Sequence, residues 1–242
     1  MPDFHNPTGN LMSDGERSAV AEALRRAGTR PIVDETVAEV NLVGEPLPRP
    51  FSAYHPGTIT VGGASKVYWG GLRIGWLRVP GALMDRLVDA RTTVDLGAPV
   101  LEQLALLELL RTQPGLSADR REGLVAARDA VAQALRRRIP EAEFGMPRGG
   151  LSLWVRLPDL SATEVALAAE AEGLLLASGP RFAVTDGLDH WLRLPYVLPV
   201  PELVEAVERL RRAIDRVRAD RASRPRRTTT RPRTRPARPL VA

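Results

Sequence analysis

Along this chain the apolar positions alternate between the period of a strand and that of a helix, and turn chemistry separates the runs. Asn6-Pro7-Thr8-Gly9 is a turn sequence. Ser13-Asp14-Gly15-Glu16 follows as a capping box, predicting a helix of about 14 residues that ends at Gly28. Pro31-Ile32-Val33 is a short apolar strand released into Asp34-Glu35, and Thr58-Ile59-Thr60-Val61 is a β-branched strand running into Gly62-Gly63-Ala64-Ser65-Lys66. Ile74 to Val79 predicts one more strand. From Gly81 the period becomes helical: Leu83, Leu87 and Val88 share one face, and Val100, Leu104, Leu107 and Leu110 another. Past the Gln113-Pro114-Gly115 break a long amphipathic helix is predicted from about Ser117 to Arg138. Pro147-Arg148-Gly149-Gly150 then opens an apolar strand, Leu151 to Leu157. A helix (Ser161 to Glu172), a short strand (Leu174 to Ala177), a strand (Trp191 to Val197) and a last helix (Val200 to Arg218) complete an α/β pattern.

Composition narrows the class. Hydrophobic residues make up 44% and charged residues 26% of the 242, enough to bury a core. No apolar run approaches the roughly 20 residues of a membrane span, and Met1 to His5 carry no leader-like stretch, so a cytoplasmic protein is the expectation. With no cysteine and three scattered histidines, neither a thiolate nor a histidine metal site is expected. The net charge of +5 invites a nucleic-acid reading, but its distribution weakens it. From Ala219 onward eight arginines stand against one aspartate, a net of +7, which leaves residues 1–218 at −2. This tail, rich in Arg, Pro and Thr, is expected to be disordered; it has no aromatic residue for base stacking.

Among the cations, Lys66 stands out as the single lysine beside 33 arginines. Asp34 ends a strand, Lys66 follows a glycine-rich bend, Arg73 lies seven residues further on, and Arg193 interrupts an apolar run, where a cation needs a partner. Each alone has an ordinary structural explanation. Polar residues released at the carboxyl ends of buried strands are nonetheless where open α/β sheets build their sites.

Taken in order, Asn-Pro-Thr-Gly, strand-Asp, strand-Gly-Gly-Ala-Ser-Lys, the seven-residue step to Arg73 and a late Arg193 resemble the class I/II aminotransferases of fold type I, which depend on pyridoxal 5'-phosphate. Trp69-Gly70-Gly71-Leu72-Arg73-Ile74-Gly75-Trp76 is similar to the aminotransferase-type domain of MocR regulators in the GntR family, and Pro147 to Trp154 resembles the start of the small domain. The resemblance covers residues 1 to about 218. It implies an α/β fold: a partial large-domain sheet with helices over residues 1–115, a small C-terminal α/β domain over 116–218, and the tail, 219–242.

The resemblance also implies roles. Lys66 would bind the cofactor through its neutral amine and then move the substrate's α-proton, and Asp34 would pair with the pyridine nitrogen. Asn6 would donate to the ring's phenolic oxygen, and its peptide to Pro7 would be cis. Arg73 and Ser65 would hold the phosphate, and Arg193, with Asn6 beside it, the substrate carboxylate. An amino acid or keto acid partner and a homodimer are implied, with DNA contact only through a winged-helix module outside these residues. Two positions depart from the pattern: Thr36 and Val37 stand where a tyrosine usually shares the phenolic oxygen, and Gly63 where many relatives have a phosphate-binding serine. The family's upstream phosphate loop and ring-stacking aromatic have no counterpart, so the chain is expected to be an N-terminally truncated piece with an open sheet edge, an uncovered apolar face and a tendency to self-associate. The alternatives are a remnant of a free-standing aminotransferase, a nucleic-acid binder using the tail, and an inert gene fragment.

Overall fold

The computed structural model describes residues 2–95 and 97–223. Residues 224–242, most of the tail expected to be disordered, lie outside the described residues.

Two sheets organise the chain. The first is formed by β1 (Ile32–Asp34), β2 (Ile59–Gly63) and β3 (Gly75–Arg78) in that order, with β1 parallel and β3 antiparallel to β2. Helix α1 (Asp14–Arg26) carries the capping box in full: Ser13 accepts from the backbone of Glu16, whose carboxylate accepts from the backbone of Ser13. Ala21 of α1 packs with Val33 and Phe51. Beyond β3, α2 (Met84–Thr92) and α3 (Val100–Thr112) form as the helical period predicts, yet α2 buries no side chain and α3 buries Leu106. Leu106 packs with Ala64, Leu72 and Ile74, while Leu101, Leu104, Leu107 and Leu110 face outward. The uncovered apolar face expected from the sequence is therefore present on these helices and on the first sheet, where Ile32 is 72% exposed.

The second sheet has the order β4-β5-β7-β6, all antiparallel, from β4 (Glu143–Phe144), β5 (Ser152–Arg156), β6 (Ala177–Ser178) and β7 (Trp191–Pro195). Three helices, α4 (Ala118–Arg138), α5 (Ala162–Ala171) and α6 (Val200–Ser223), pack with it. Ser117 and Ser161 cap α4 and α5 through their hydroxyls. Period-two alternation sends Leu153, Val155, Leu192 and Leu194 into the core with Val131, Leu135, Leu210 and Ile214. The opposite face carries Ser152, Trp154, Trp191 and Arg193, with Trp154 stacked on Trp191 at 5.4 Å. Helix α6 runs five residues past its expected end, to Ser223, because Arg221 binds the Glu164 carboxylate and the Asp159 carbonyl.

The two sheets meet through the N-terminal turn. Val40 and Leu42 hydrogen bond to Gly150 and Arg148, and Phe4 packs over Gly149, where a β-carbon would lie 2.4 Å from both the Phe4 ring and the Val40 carbonyl. Gly149 is required by that close approach, and Gly150 by its φ of +82°. The Pro-Arg-Gly-Gly motif is thus a seat for the N-terminal segment.

Candidate active site

The site grows from four backbone devices. Asp34 ends β1, and its Oδ1 accepts from the backbone N–H of Thr36 (2.9 Å) and from the Thr36 hydroxyl (2.7 Å), which fixes the carboxylate and leaves Oδ2 for another partner. β2 ends at Gly63 and the chain turns through Ala64 to Val67, closing with Tyr68 N–H donating to the Ala64 carbonyl at 2.9 Å; Lys66 projects from this turn. Arg73 follows a single 3-10 turn with φ +55°, left-handed backbone that a β-carbon disfavours. The fourth device is the Asn6–Pro7 peptide, which is cis as the resemblance implied.

These devices bring the sequence candidates together. One cavity of about 250 Å³ has Asn6, Asp34, Thr36, Lys66, Ser152 and Arg193 in its lining, with Phe4, His5 and Gly150 among the other wall residues. A neighbouring cavity of about 340 Å³ is lined by Ser65, Lys66 and Arg73 together with Gly62, Gly63 and Gly75. Thr36 and Lys66 belong to both. All six residues singled out from the sequence therefore border one recess made of two neighbouring cavities at the seam between the sheets, although Asn6 and Arg193 are 187 positions apart.

The charges in the recess lack internal partners. Among the described residues the side chains of Lys66, Arg73 and Arg193 make no hydrogen bond or ion pair, and the Arg193 Nε is buried without one. Strand alternation accounts for Arg193: Leu192 and Leu194 fill the core while Arg193 points to the opposite face, across from Trp154. Three unpaired cations, one carboxylate with a free oxygen, a hydroxyl and an amide suit a ligand with two anionic ends and a polar ring between them.

Supporting residues were less visible in the sequence. Arg17 is fully buried and forms an ion pair with Asp3 at 2.6 Å, also donating to the carbonyls of Met12 and Arg49. This clamps the segment that carries Asn6; the signal was Arg17 four positions before Ala21, on the buried stripe of α1. Glu35, next to Asp34, has its carboxyl pushed above the ordinary value, first by burial and then by the nearby Asp3 charge. The buried Tyr196 hydroxyl donates at 2.8 Å to the carbonyl of Gly150, a residue of the cavity wall.

Residues 3–210 match the family described as aminotransferase class I and II. The chain belongs to this family. It is 31% identical over 222 residues to the 2-aminoadipate transaminase of Thermus thermophilus, covering 88% of this chain and 56% of that protein. It is 29% identical over 202 residues to the HTH-type transcriptional regulator YdfD of Bacillus subtilis, covering 81% of this chain and 41% of that one. The chain thus spans about half the length of the curated relatives it matches. Its fold superposes with a TM-score of 0.82 at 29% identity on the alpha-aminoadipate aminotransferase LysN of Thermus thermophilus, solved in complex with N-(5'-phosphopyridoxyl)-L-leucine, over 90% of this chain and 58% of that one. Both a transaminase and a regulator therefore stand among the relatives of this chain, as the sequence resemblance implied.

Proposed function

We propose that the chain is a pyridoxal-phosphate-binding aminotransferase domain of the kind carried by MocR-type regulators, and that it takes an amino acid or its keto acid at the recess between the sheets. The observation that carries this reading is the set of unpaired cations, Lys66, Arg73 and Arg193, around two neighbouring cavities whose polar wall includes Asn6, Asp34 and Ser65. The donor set fits the cofactor: a phosphate needs a guanidinium and a hydroxyl, a pyridine nitrogen needs a carboxylate, and an aldehyde needs a single reactive amine.

Arg73 and Ser65 would hold the phosphate beside Gly63, whose missing side chain leaves room. Asp34, steadied by Thr36, would keep a proton on the pyridine nitrogen through Oδ2. Bound there, pyridoxal phosphate supplies an electron sink for charge that develops at the substrate's α-carbon. Lys66 would hold the cofactor covalently and, once released, carry the proton to and from that carbon. Arg193, assisted by Asn6, would grip the α-carboxylate and align the α-carbon with Lys66. A homodimer, and a boundary near residue 115 between a cofactor-binding part and a small domain, belong to the same proposal.

The nucleic-acid reading gains no support from the described end of α6. Every arginine from 209 to 221 is paired there with a carboxylate: Glu205, Asp215, Glu172, Glu141 or Glu164.

The test of substrate class is a binding titration. Amino acids added to the cofactor-loaded chain should perturb its visible spectrum at saturable concentrations, and Arg193→Ala should weaken that response by about 1.5–3 kcal/mol. An unchanged response in Arg193→Ala would contradict the assignment of the carboxylate site.

A further inference from the structure

Lys66 stands on a turn too short to hold itself. One helical hydrogen bond, Tyr68 N–H to Ala64, closes the turn before the chain leaves at Trp69 for the next 3-10 turn. The carbonyls of Lys66, Val67 and Tyr68 are left pointing out of its end, as at any helix C-terminus. A guanidinium 54 residues further along the chain from Lys66 meets all three. Arg120 donates through Nη1 to Val67 (2.6 Å) and Tyr68 (2.7 Å) and through Nη2 to Lys66 (3.1 Å).

The placement of Arg120 indicates what it serves. It is the third residue of α4, where a cation opposes the helix dipole, and its own N–H is capped by Ser117 at 3.3 Å. At the end of the Lys66 turn the same charge is favourable, because three carbonyl dipoles converge on it. Tyr68 adds a second tie: its hydroxyl donates to the Gln113 carbonyl (3.0 Å) and accepts from the Gly115 N–H (3.1 Å). Residues 113–120, which lead into the helices of the second sheet, thus grip the turn of the first sheet that carries the lysine.

We propose that Arg120 is a positioning residue for Lys66, fixing the backbone from which the amine reaches the cofactor and coupling that position to helix α4. Lys66 itself is exposed with an unpaired side chain, so its backbone is the part that the fold can preorganise. The proposal rests on the pyridoxal-phosphate reading. The step it governs joins the Lys66 Nζ to the aldehyde carbon of pyridoxal phosphate as a carbon–nitrogen double bond and releases one water.

Two ligands separate positioning from folding. Pyridoxal phosphate needs the lysine to bond, whereas pyridoxamine phosphate, an amine, binds without it. The 242-residue chain, Arg120→Met and Arg120→Lys are each mixed with saturating pyridoxal phosphate while the visible band is followed, and pyridoxamine phosphate affinity is measured by tryptophan quenching. Arg120→Met should slow bond formation by about tenfold or more while pyridoxamine phosphate affinity stays within about twofold, and Arg120→Lys should recover part of the rate. Bond formation at the unsubstituted rate in Arg120→Met would overturn the proposal. So would a proportional loss with both ligands, which would make Arg120 a support of the fold alone. If the unsubstituted chain forms no such bond, the cofactor reading fails, and this proposal with it.

Discussion

The two sheets are written in the same alphabet of apolar periodicity, but they close differently. In the four-stranded sheet, Leu153, Val155 and Leu192 are fully buried beneath α4, α5 and α6, whose own stripes supply Val131, Leu135, Leu210 and Ile214. In the three-stranded region the stripes exist without a counterpart: Leu101 is 78% and Val100 68% exposed, and Val33 shares its cluster with just Ala21 and Phe51 as fully buried members. A binary pattern specifies which face wants burial, not that a partner is there to bury it. The candidate recess lies where these two regions touch: Asp34, Lys66 and Arg73 come from the sparsely packed side, and the turn that carries Lys66 is steadied by Arg120 reaching across from the well-packed one.

That contrast can be broken most sharply through its ion pair. Arg17→Ala leaves Asp3 buried and uncompensated in the sparsely packed region, and should cost about 3–5 kcal/mol in chemical denaturation. A loss below about 1 kcal/mol would mean that the N-terminal segment is held by other contacts. Next come two truncations of the same residue type. Leu153→Ala should cost about 2–5 kcal/mol by cavity formation, whereas Leu101→Ala should stay within about 0.5 kcal/mol. Equal effects in the two regions would show that α3 is covered in solution.

A smaller loss is expected at the seam. Gly149→Ala sets a methyl group against the Phe4 ring and the Val40 carbonyl, and should cost about 1–3 kcal/mol while loosening the wall that holds Asn6. A substitution without effect on either stability or cofactor binding would remove Gly149 as the seat of the N-terminal turn.

The smallest effect is one of pH. Burial and the Asp3 charge push the Glu35 carboxyl above its ordinary value of 4.5, so folding favours its neutral form. Its contribution to stability is fully present below about 4.5 and is lost as pH rises through the folded value. Glu35→Gln, neutral at every pH, should therefore raise Tm near about pH 7 and leave it unchanged in acid. A higher Tm in acid instead of at neutrality would reverse the assignment of the shift.

Most of the fold was legible because local signals sufficed. The capping box at Ser13 to Glu16, the hydroxyl caps at Ser117 and Ser161, and the period of α4 and α6 each act within one or two turns. β4, only two residues long, was not read, because Glu143 and Phe144 become a strand through pairing with Arg156 and Val155 and not through their own pattern. The recess followed the same rule. Asn6, Asp34, Ser65, Lys66, Arg73 and Arg193 were found from the order of motifs, which records neighbours in space only through resemblance. Arg17, Thr36, Arg120 and Tyr196 were missed, since each acts through a carbonyl or carboxylate whose position exists only in the folded chain. The reach from Arg120 back to Lys66 spans 54 residues and leaves no periodic trace.

The central claim is that this recess binds pyridoxal phosphate through Lys66, the single lysine of the chain. The most direct measurement is the visible absorbance of the protein mixed with pyridoxal phosphate, before and after Lys66→Ala. The account predicts a stoichiometric band that the substitution abolishes; an absent band, or one that survives Lys66→Ala, would contradict it.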